Sequence, residues 1–131
     1  MITCFILYEI GPFKKVAFAH YAQNWGQAIP RCGADLIGYF GPHEGSATTA
    51  YGVYNIESLS AYEAYRARLA ADPLGQKNYE FAKAEKFIQR EDRIFLKNMS
   101  HPHGKLIKPG LQSSLKLSHM KARPTPILRM R

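Results

Sequence analysis

Two short apolar runs, separated by a loop rich in glycine and proline, constrain the fold of this chain more than any other feature. They cover residues 34–41 and 48–56, and aliphatic and aromatic side chains recur in both. Apolar runs bounded by turn-forming residues are typical of paired strands. Each run is apolar on both of its alternating faces, whereas a strand with one wetted side alternates between apolar and polar residues. The sequence therefore predicts a sheet that is covered on both sides.

The remaining periodic segments complete a recognisable order of elements. Alternating or helical spacing predicts strands at residues 2–10 and 88–97 and helices at residues 12–31, 58–71 and 76–87. The order is β-α-β-β-α-β, with a short extra helix before the last strand. This order predicts an α+β, ferredoxin-like domain with a four-stranded antiparallel sheet.

The first helix is predicted to bury one apolar face. That face comprises Phe13, Val16, Ala17, His20, Tyr21 and Ala28, which recur at three- and four-residue steps. Pro12 is suited to the first turn of the helix, and Gly33 to a left-handed cap at its end. We interpret His20 as a core or interface histidine and Trp25 as a core residue. In the second and third strands, Gly38 and Gly52 predict a bulge or a close approach by another group.

The positive charge of the chain lies mainly at its C-terminal end. The formal net charge is +8, but residues 1–97 contain eleven of the 18 Lys and Arg residues and all ten acidic residues. We therefore predict a nearly neutral domain over residues 1–97 and a basic, weakly ordered extension over residues 98–131. A solvated extension is the preferred interpretation, and binding of nucleic acid or an anionic surface through it is the alternative.

Cysteine usage and hydropathy indicate a cytosolic protein without a membrane span. Cys4 and Cys32 lack the spacing of a zinc site or a redox pair, so we expect two reduced structural thiols. No run approaches the roughly 20 apolar residues of a membrane helix. The N-terminal segment has the pattern of a strand and not of a signal peptide.

The two apolar faces of the strands predict an oligomer. Helices cover only one side of a ferredoxin-like sheet, and a second sheet packed face to face, about 10 Å away, is the natural cover for the other side. In a domain of this size the second sheet has to come from another chain. We therefore predict a two-fold homodimer, with coverage by the C-terminal extension as the alternative.

Several segments of residues 1–97 resemble the NIPSNAP family of the dimeric α/β-barrel superfamily, in a bacterial form. They are Tyr8-Glu9-Ile10, the helix with Trp25, Leu36 to Phe40, Tyr54 to Leu59 with Tyr62 to Arg66, Asp72-Pro73 and Glu91 to Leu96. The resemblance implies a two-chain barrel of two ferredoxin-like sheets. It implies a non-catalytic protein-interaction module as one function and a monooxygenase-like enzyme as another, and it assigns no catalytic residue.

The preferred prediction is a homodimeric protein that binds a small molecule in a cleft between sheet and helices, and two groups of residues are candidates for the ligand site. The first combines Arg66 with tyrosines for which packing and subunit contact is the preferred interpretation and a pocket wall the alternative: Tyr39, Tyr51, Tyr54, Tyr62 and Tyr65. The second is His43 with Glu44 in the loop between the two central runs, where a solvated loop is the preferred interpretation. Glu91 and Asp92 are interpreted as a charged strand flank, because neighbours on a strand face opposite sides. No metal or cofactor is expected, and whether the protein is an enzyme stays open.

Overall fold

Four antiparallel strands form one sheet, and three helices pack on one of its faces. The computed structural model describes residues 1–100. The elements are β1 (Ile2–Ile10), α1 (Lys15–Arg31), β2 (Asp35–Phe40), β3 (Thr49–Ile56), α2 (Leu59–Ala71), α3 (Pro73–Glu85) and β4 (Ile88–Leu96). The strand order is β2-β3-β1-β4, and every neighbouring pair is antiparallel. This is the ferredoxin-like arrangement, so the predicted fold class is confirmed.

The central strand β1 separates the helix-covered face of the sheet from the other face. Its even-numbered residues from Cys4 to Ile10 are buried beneath the helices, whereas Phe5 and Leu7 project from the opposite side. Cys4 and Cys32 are both buried and unbridged, as expected for structural thiols. Within residues 1–100, none of the helices combines the length and the apolarity needed to cross a membrane.

The buried face of α1 differs from the predicted one. The helix begins at Lys15, and Phe13 precedes it in a turn with a φ of 66°, so the apolar residues before the helix cannot extend its face. Phe13 and Val16 are exposed, and so is His20, whose ring packs edge-on against Phe81 at 4.9 Å; the core interpretation of His20 is wrong. The buried residues of α1 are Phe18, Tyr21, Trp25, Ala28 and Ile29.

Side-chain caps define where α2 and α3 begin. The Ser58 hydroxyl accepts a hydrogen bond from the Ala61 backbone N–H at 3.0 Å. The Asp72 carboxylate accepts one from the Gly75 N–H at 2.9 Å, and Pro73 occupies the first turn. The predicted break at Asp72-Pro73 is therefore the start of α3, three residues before the predicted one.

Gly38 and Gly52 have the two roles predicted for such positions. The pairing of β2 with β3 shifts between Leu36 and Gly38, which leaves Ile37 as the extra residue of a bulge. At Gly52, an added Cβ would lie only 2.7 Å from a ring carbon of Tyr39. The close approach of this ring to the strand is possible because Gly52 has no side chain.

The side of the sheet opposite the helices, called the open face below, is largely apolar. It carries exposed or partly exposed large side chains from all four strands: Phe5, Leu7, Ile37, Phe40, Tyr51, Ile94 and Leu96. A hydrogen-bonded strip bounds it at one end, where Thr3 Oγ1 donates to Asn55 Oδ1 at 2.6 Å and Asn55 Nδ2 donates to Asp35 at 3.0 Å. The ion pair between Arg90 and Asp92, 2.8 Å long, lies at the other end.

The basic extension predicted over residues 98–131 is described only as far as Ser100. Its predicted order, and the alternative that it binds nucleic acid or an anionic surface, therefore lie outside the described residues.

Candidate functional site

A small cavity lies between the sheet and the helices, and every element of the described fold contributes to its wall. Its volume is about 30 Å³, which is room for about two water molecules. The wall combines aliphatic, aromatic and charged side chains: Ile6, Tyr8, Tyr21, Trp25, Ile29, Tyr39, Tyr54, Tyr65, Arg66, Leu69, Tyr79, Glu91 and Arg93.

Two arginines bring positive charge to this cavity. Arg66, on α2, donates from Nη1 to the Tyr62 hydroxyl at 3.1 Å. Arg93, on β4, donates from Nη2 to the Glu91 carboxylate at 2.8 Å, while its buried Nε has no hydrogen-bond partner among the described residues. Burial lowers the pKa of Arg93, but Tyr62 and the Glu91 carboxylate raise it by more, so this guanidinium stays charged.

The tyrosines of the wall pack in two aromatic groups, one around Tyr8 and Tyr21 and the other around Tyr65. The hydroxyls of Tyr8 and Tyr39 lie 3.2 Å apart, and burial holds the pKa of both phenols well above the usual range. Burial also raises the pKa of Tyr21 to about 12. The rings of Tyr54 and Tyr65 pack with centroids 5.3 Å apart. These phenols therefore offer neutral hydrogen-bonding groups beside the two cations.

An open groove between α3 and β4 adjoins the cavity. Its volume is about 760 Å³, and Lys83, Lys86 and Glu80 contribute charge to its wall. Three residues line both spaces: Tyr21, Tyr79 and Glu91. Glu91 therefore lies where the groove meets the cavity that Arg66 and Arg93 line.

The structure separates the candidate residues into three places. The cavity wall contains Tyr39, Tyr54, Tyr65 and Arg66, and Tyr62 supports Arg66 from beside it. Tyr51 lies on the open face and does not line the cavity, so of its two predicted roles, pocket wall and subunit interface, only the second fits its position. His43 and Glu44 lie in the exposed β2–β3 loop, away from the cavity. Ligand binding by these residues stays a prediction.

Sequence reasoning missed Glu91 and Arg93 as site residues. Asp92 points to the open face opposite Leu7, as expected for a charged flank. Glu91 and Arg93 share the helix-covered side of β4 with Phe95, and Phe95 packs its ring edge-on against Tyr62 at 4.8 Å. Successive side chains of a strand alternate between its two faces, so Glu91 and Arg93 lie on the same face as the apolar Phe95. This alternation is the sequence signal that could have identified both residues.

Metal binding finds no support in the part of the chain that the structure describes. Within residues 1–100, no three His, Cys, Asp or Glu side chains are grouped closely enough to hold a metal ion.

Comparison with known proteins identifies the relatives of this fold. The sequence profile of the NIPSNAP family matches residues 3–102, which is most of the chain. The chain belongs to the NIPSNAP family. This family assignment confirms the resemblance found in the sequence. Among curated proteins, none matches this NIPSNAP sequence significantly.

Solved structures show the same fold at low sequence identity. A NIPSNAP-like domain protein from Burkholderia xenovorans is 26% identical, with 82% of this chain and 90% of that chain covered and a TM-score of 0.63. A protein from Agrobacterium tumefaciens is 20% identical, with 74% and 92% covered and a TM-score of 0.65. A putative antibiotic biosynthesis monooxygenase from Nitrosomonas europaea is 10% identical, with 76% and 99% covered and a TM-score of 0.59. The last two likenesses show the fold alone.

Proposed function

We propose that this NIPSNAP protein is a homodimer that binds a small molecule in the cleft formed by the interior cavity and the adjoining groove. The observation that carries the proposal is the convergence of Arg66, Arg93 and neutral tyrosines on one interior space. Ligand sites typically combine apolar and aromatic walls with a few placed polar groups. No reaction follows from the likeness to the putative monooxygenase, because at 10% identity it concerns the fold.

The groove provides the space that the interior cavity lacks. A cavity of about 30 Å³ holds no more than a small head group, whereas ligand pockets commonly measure about 300–1,000 Å³. The groove, at about 760 Å³, lies within this range. Because Tyr21, Tyr79 and Glu91 line both spaces, one ligand can occupy the groove and extend a polar end inward.

The open face supports the second part of the proposal, which is that a second copy of the chain covers it. Its apolar centre lies between two polar ends, as in an interface with a dry core and a wet rim. A sheet stacks well on an identical sheet, and a two-fold axis pairs the same face of both copies. We place this dimer in the cytosol, in agreement with its two free, buried thiols.

Native mass spectrometry combined with NMR tests ligand binding. Protein purified without denaturation should retain a bound small molecule, or should bind members of a fragment library that shift the indole resonance of Trp25. Trp25 is the only tryptophan of the chain and lines the cavity, so its resonance reports on this site. A library of neutral, cationic and anionic fragments that leaves the Trp25 resonance unmoved would refute the cleft as a ligand site.

Sedimentation equilibrium tests the dimer. The wild-type protein should have twice the chain mass at micromolar concentration, and Ile94→Glu, on the open face, should be monomeric because it places a charge in the apolar centre. Val16→Glu is the matched control, since Val16 is exposed on α1, on the other side of the sheet. A monomeric wild type, or a dimer that tolerates Ile94→Glu, contradicts the proposed interface.

A further inference from the structure

The guanidinium of Arg93 is only partly used by its partner within the chain. A carboxylate binds arginine best through two parallel hydrogen bonds. Glu91 makes one such bond, to Nη2, and the neighbouring Nε is buried without a partner among the described residues. A buried donor without a partner is destabilising. A carboxylate that bonded both Nε and Nη2 of Arg93 would therefore bind it better than Glu91, which bonds Nη2 alone.

The charges on the cavity wall do not balance. Arg66 and Arg93 contribute two positive charges, Glu91 contributes one negative charge, and the buried phenols of Tyr8 and Tyr39, whose pKa is raised, are neutral. The partner of Arg66 is a hydroxyl, that of Tyr62, and not a carboxylate. These charged side chains, which are partly exposed to solvent, sum to one net positive charge that a single anionic group would neutralise.

The remaining wall selects the rest of the ligand. Tyr21 and Tyr79 line both the cavity and the groove, and Trp25 packs between them with centroid distances of 5.6 and 5.4 Å. Such rings favour a flat aromatic ligand over a flexible aliphatic one. On the groove side, Lys83 and Lys86 bring two positive charges against one negative charge from Glu80, while Glu91 is already paired with Arg93. This local excess of positive charge attracts an anion.

We propose that Arg66 and Arg93 form the subsite for the carboxylate of an aromatic acid, and that Glu91 occupies this subsite in the unliganded protein. This inference rests on the cleft being the ligand site. Glu91 lies at the boundary between groove and cavity, so an incoming carboxylate meets the pair of Glu91 and Arg93 first. The ligand then replaces Glu91 on Arg93, engages Nε as well, and leaves its ring in the groove against Tyr21 and Tyr79.

Benzoate and its neutral isostere benzamide distinguish this inference from cleft binding in general. Titrations followed by the Trp25 indole resonance should show benzoate binding at least tenfold more tightly than benzamide, and more tightly than cyclohexanecarboxylate. Equal binding of benzoate and benzamide overturns the anion subsite while cleft binding stands. If neither compound shifts the resonance, the inference fails, and the fragment library decides whether the proposed function fails with it.

Variants of β4 test the roles of the two charged residues. Glu91→Gln removes the internal occupant, so it should strengthen benzoate binding severalfold and leave benzamide binding unchanged. Arg93→Met should abolish the preference for benzoate, and Arg93→Lys, which keeps the charge but not the paired donors, should retain part of it. Asp92→Asn and Arg90→Met are matched controls, because both residues lie on the other side of the same strand. Weaker benzoate binding by Glu91→Gln contradicts the role of Glu91 as occupant.

Discussion

The contact between Gly52 and Tyr39 predicts how Gly52→Ala changes the free energy of unfolding. The substitution should destabilise the protein when the Tyr39 ring is present and stabilise it when the ring is absent. A Cβ at position 52 would lie 2.7 and 2.8 Å from two carbons of the Tyr39 ring, closer than real Cβ contacts. Gly52→Ala should therefore push this ring from its place and break the contact between the Tyr39 and Tyr8 hydroxyls, which are 3.2 Å apart. Overpacking costs about 1–3 kcal/mol and the hydrogen bond contributes about 1 kcal/mol. The smaller freedom of alanine in the unfolded chain offsets about 0.5–1 kcal/mol, so we expect a net loss of about 2 kcal/mol.

The same substitution should have the opposite effect once the ring is absent. In a Tyr39→Ala background, Gly52→Ala meets no ring and should stabilise the protein by about 0.5–1 kcal/mol. Gly26→Ala is the matched control in the wild type: no atom lies within 4 Å of its added Cβ, so it should stabilise α1 by about 0.5–1 kcal/mol.

Urea unfolding followed by circular dichroism measures these free energies. Each variant is compared at one protein concentration, because the stability of a dimer depends on concentration. The difference between the two effects of Gly52→Ala is the coupling energy of the pair, about 3 kcal/mol by this reasoning. A loss that persists in the Tyr39→Ala background, or no loss in the wild type, refutes the account of Gly52.

Two further predictions concern α1 and the start of α3. Phe18→Ala should lower the free energy of unfolding by about 3–5 kcal/mol, because Phe18 is 2% exposed. Phe13→Gly should raise it by about 1 kcal/mol, because glycine adopts a φ of 66° without strain. Urea unfolding measures both changes. Hydrogen bonds from Arg31 hold the pKa of Asp72 below its usual 3.8. The resulting stability is present above pH 3.8 and is lost as the pH falls through the folded pKa. Acid unfolding of Asp72→Asn, which keeps a cap, should lack this contribution.

The sequence predicts the sheet well because a period of two is a local property. The strand from Ile2 to Ile10 has the predicted bounds. β3 and β4 differ from the prediction by one residue at one end, and β2 is one residue shorter at both ends. The face of α1 was not predictable in the same way, since the left-handed turn at Phe13 sets where the helix begins. The apolar spacing of Phe13 and Val16 looks helical in the sequence, but Phe13 lies in the turn before α1, and Val16 is on the exposed side of the helix.

The candidate site was predicted only in part, because local spacing places some of its residues and strand order places the others. Arg66 and its tyrosine neighbours on α2 follow from helical spacing within one segment. Arg93 reaches the same cavity because β4 pairs with β1 beneath the helices, which places Arg93 opposite Ile6. A contact between residues so distant in sequence depends on strand order, and a charged run at residues 90–93 otherwise has the composition of a solvated strand.

The position of β1 inside the sheet has a consequence for folding during synthesis. β1 is made first, yet one of its two edges pairs only with β4, in a register that joins Thr3 to Leu96. Such long-range pairing folds slowly, because the chain loses the entropy of closing a large loop before the stabilising contacts form. A chain interrupted before Ile88 would leave that edge unpaired on a strand that is apolar on both faces, which is the composition of an aggregation-prone segment. Pairing with β4, the last strand of the domain, therefore protects the edge of β1 from aggregation.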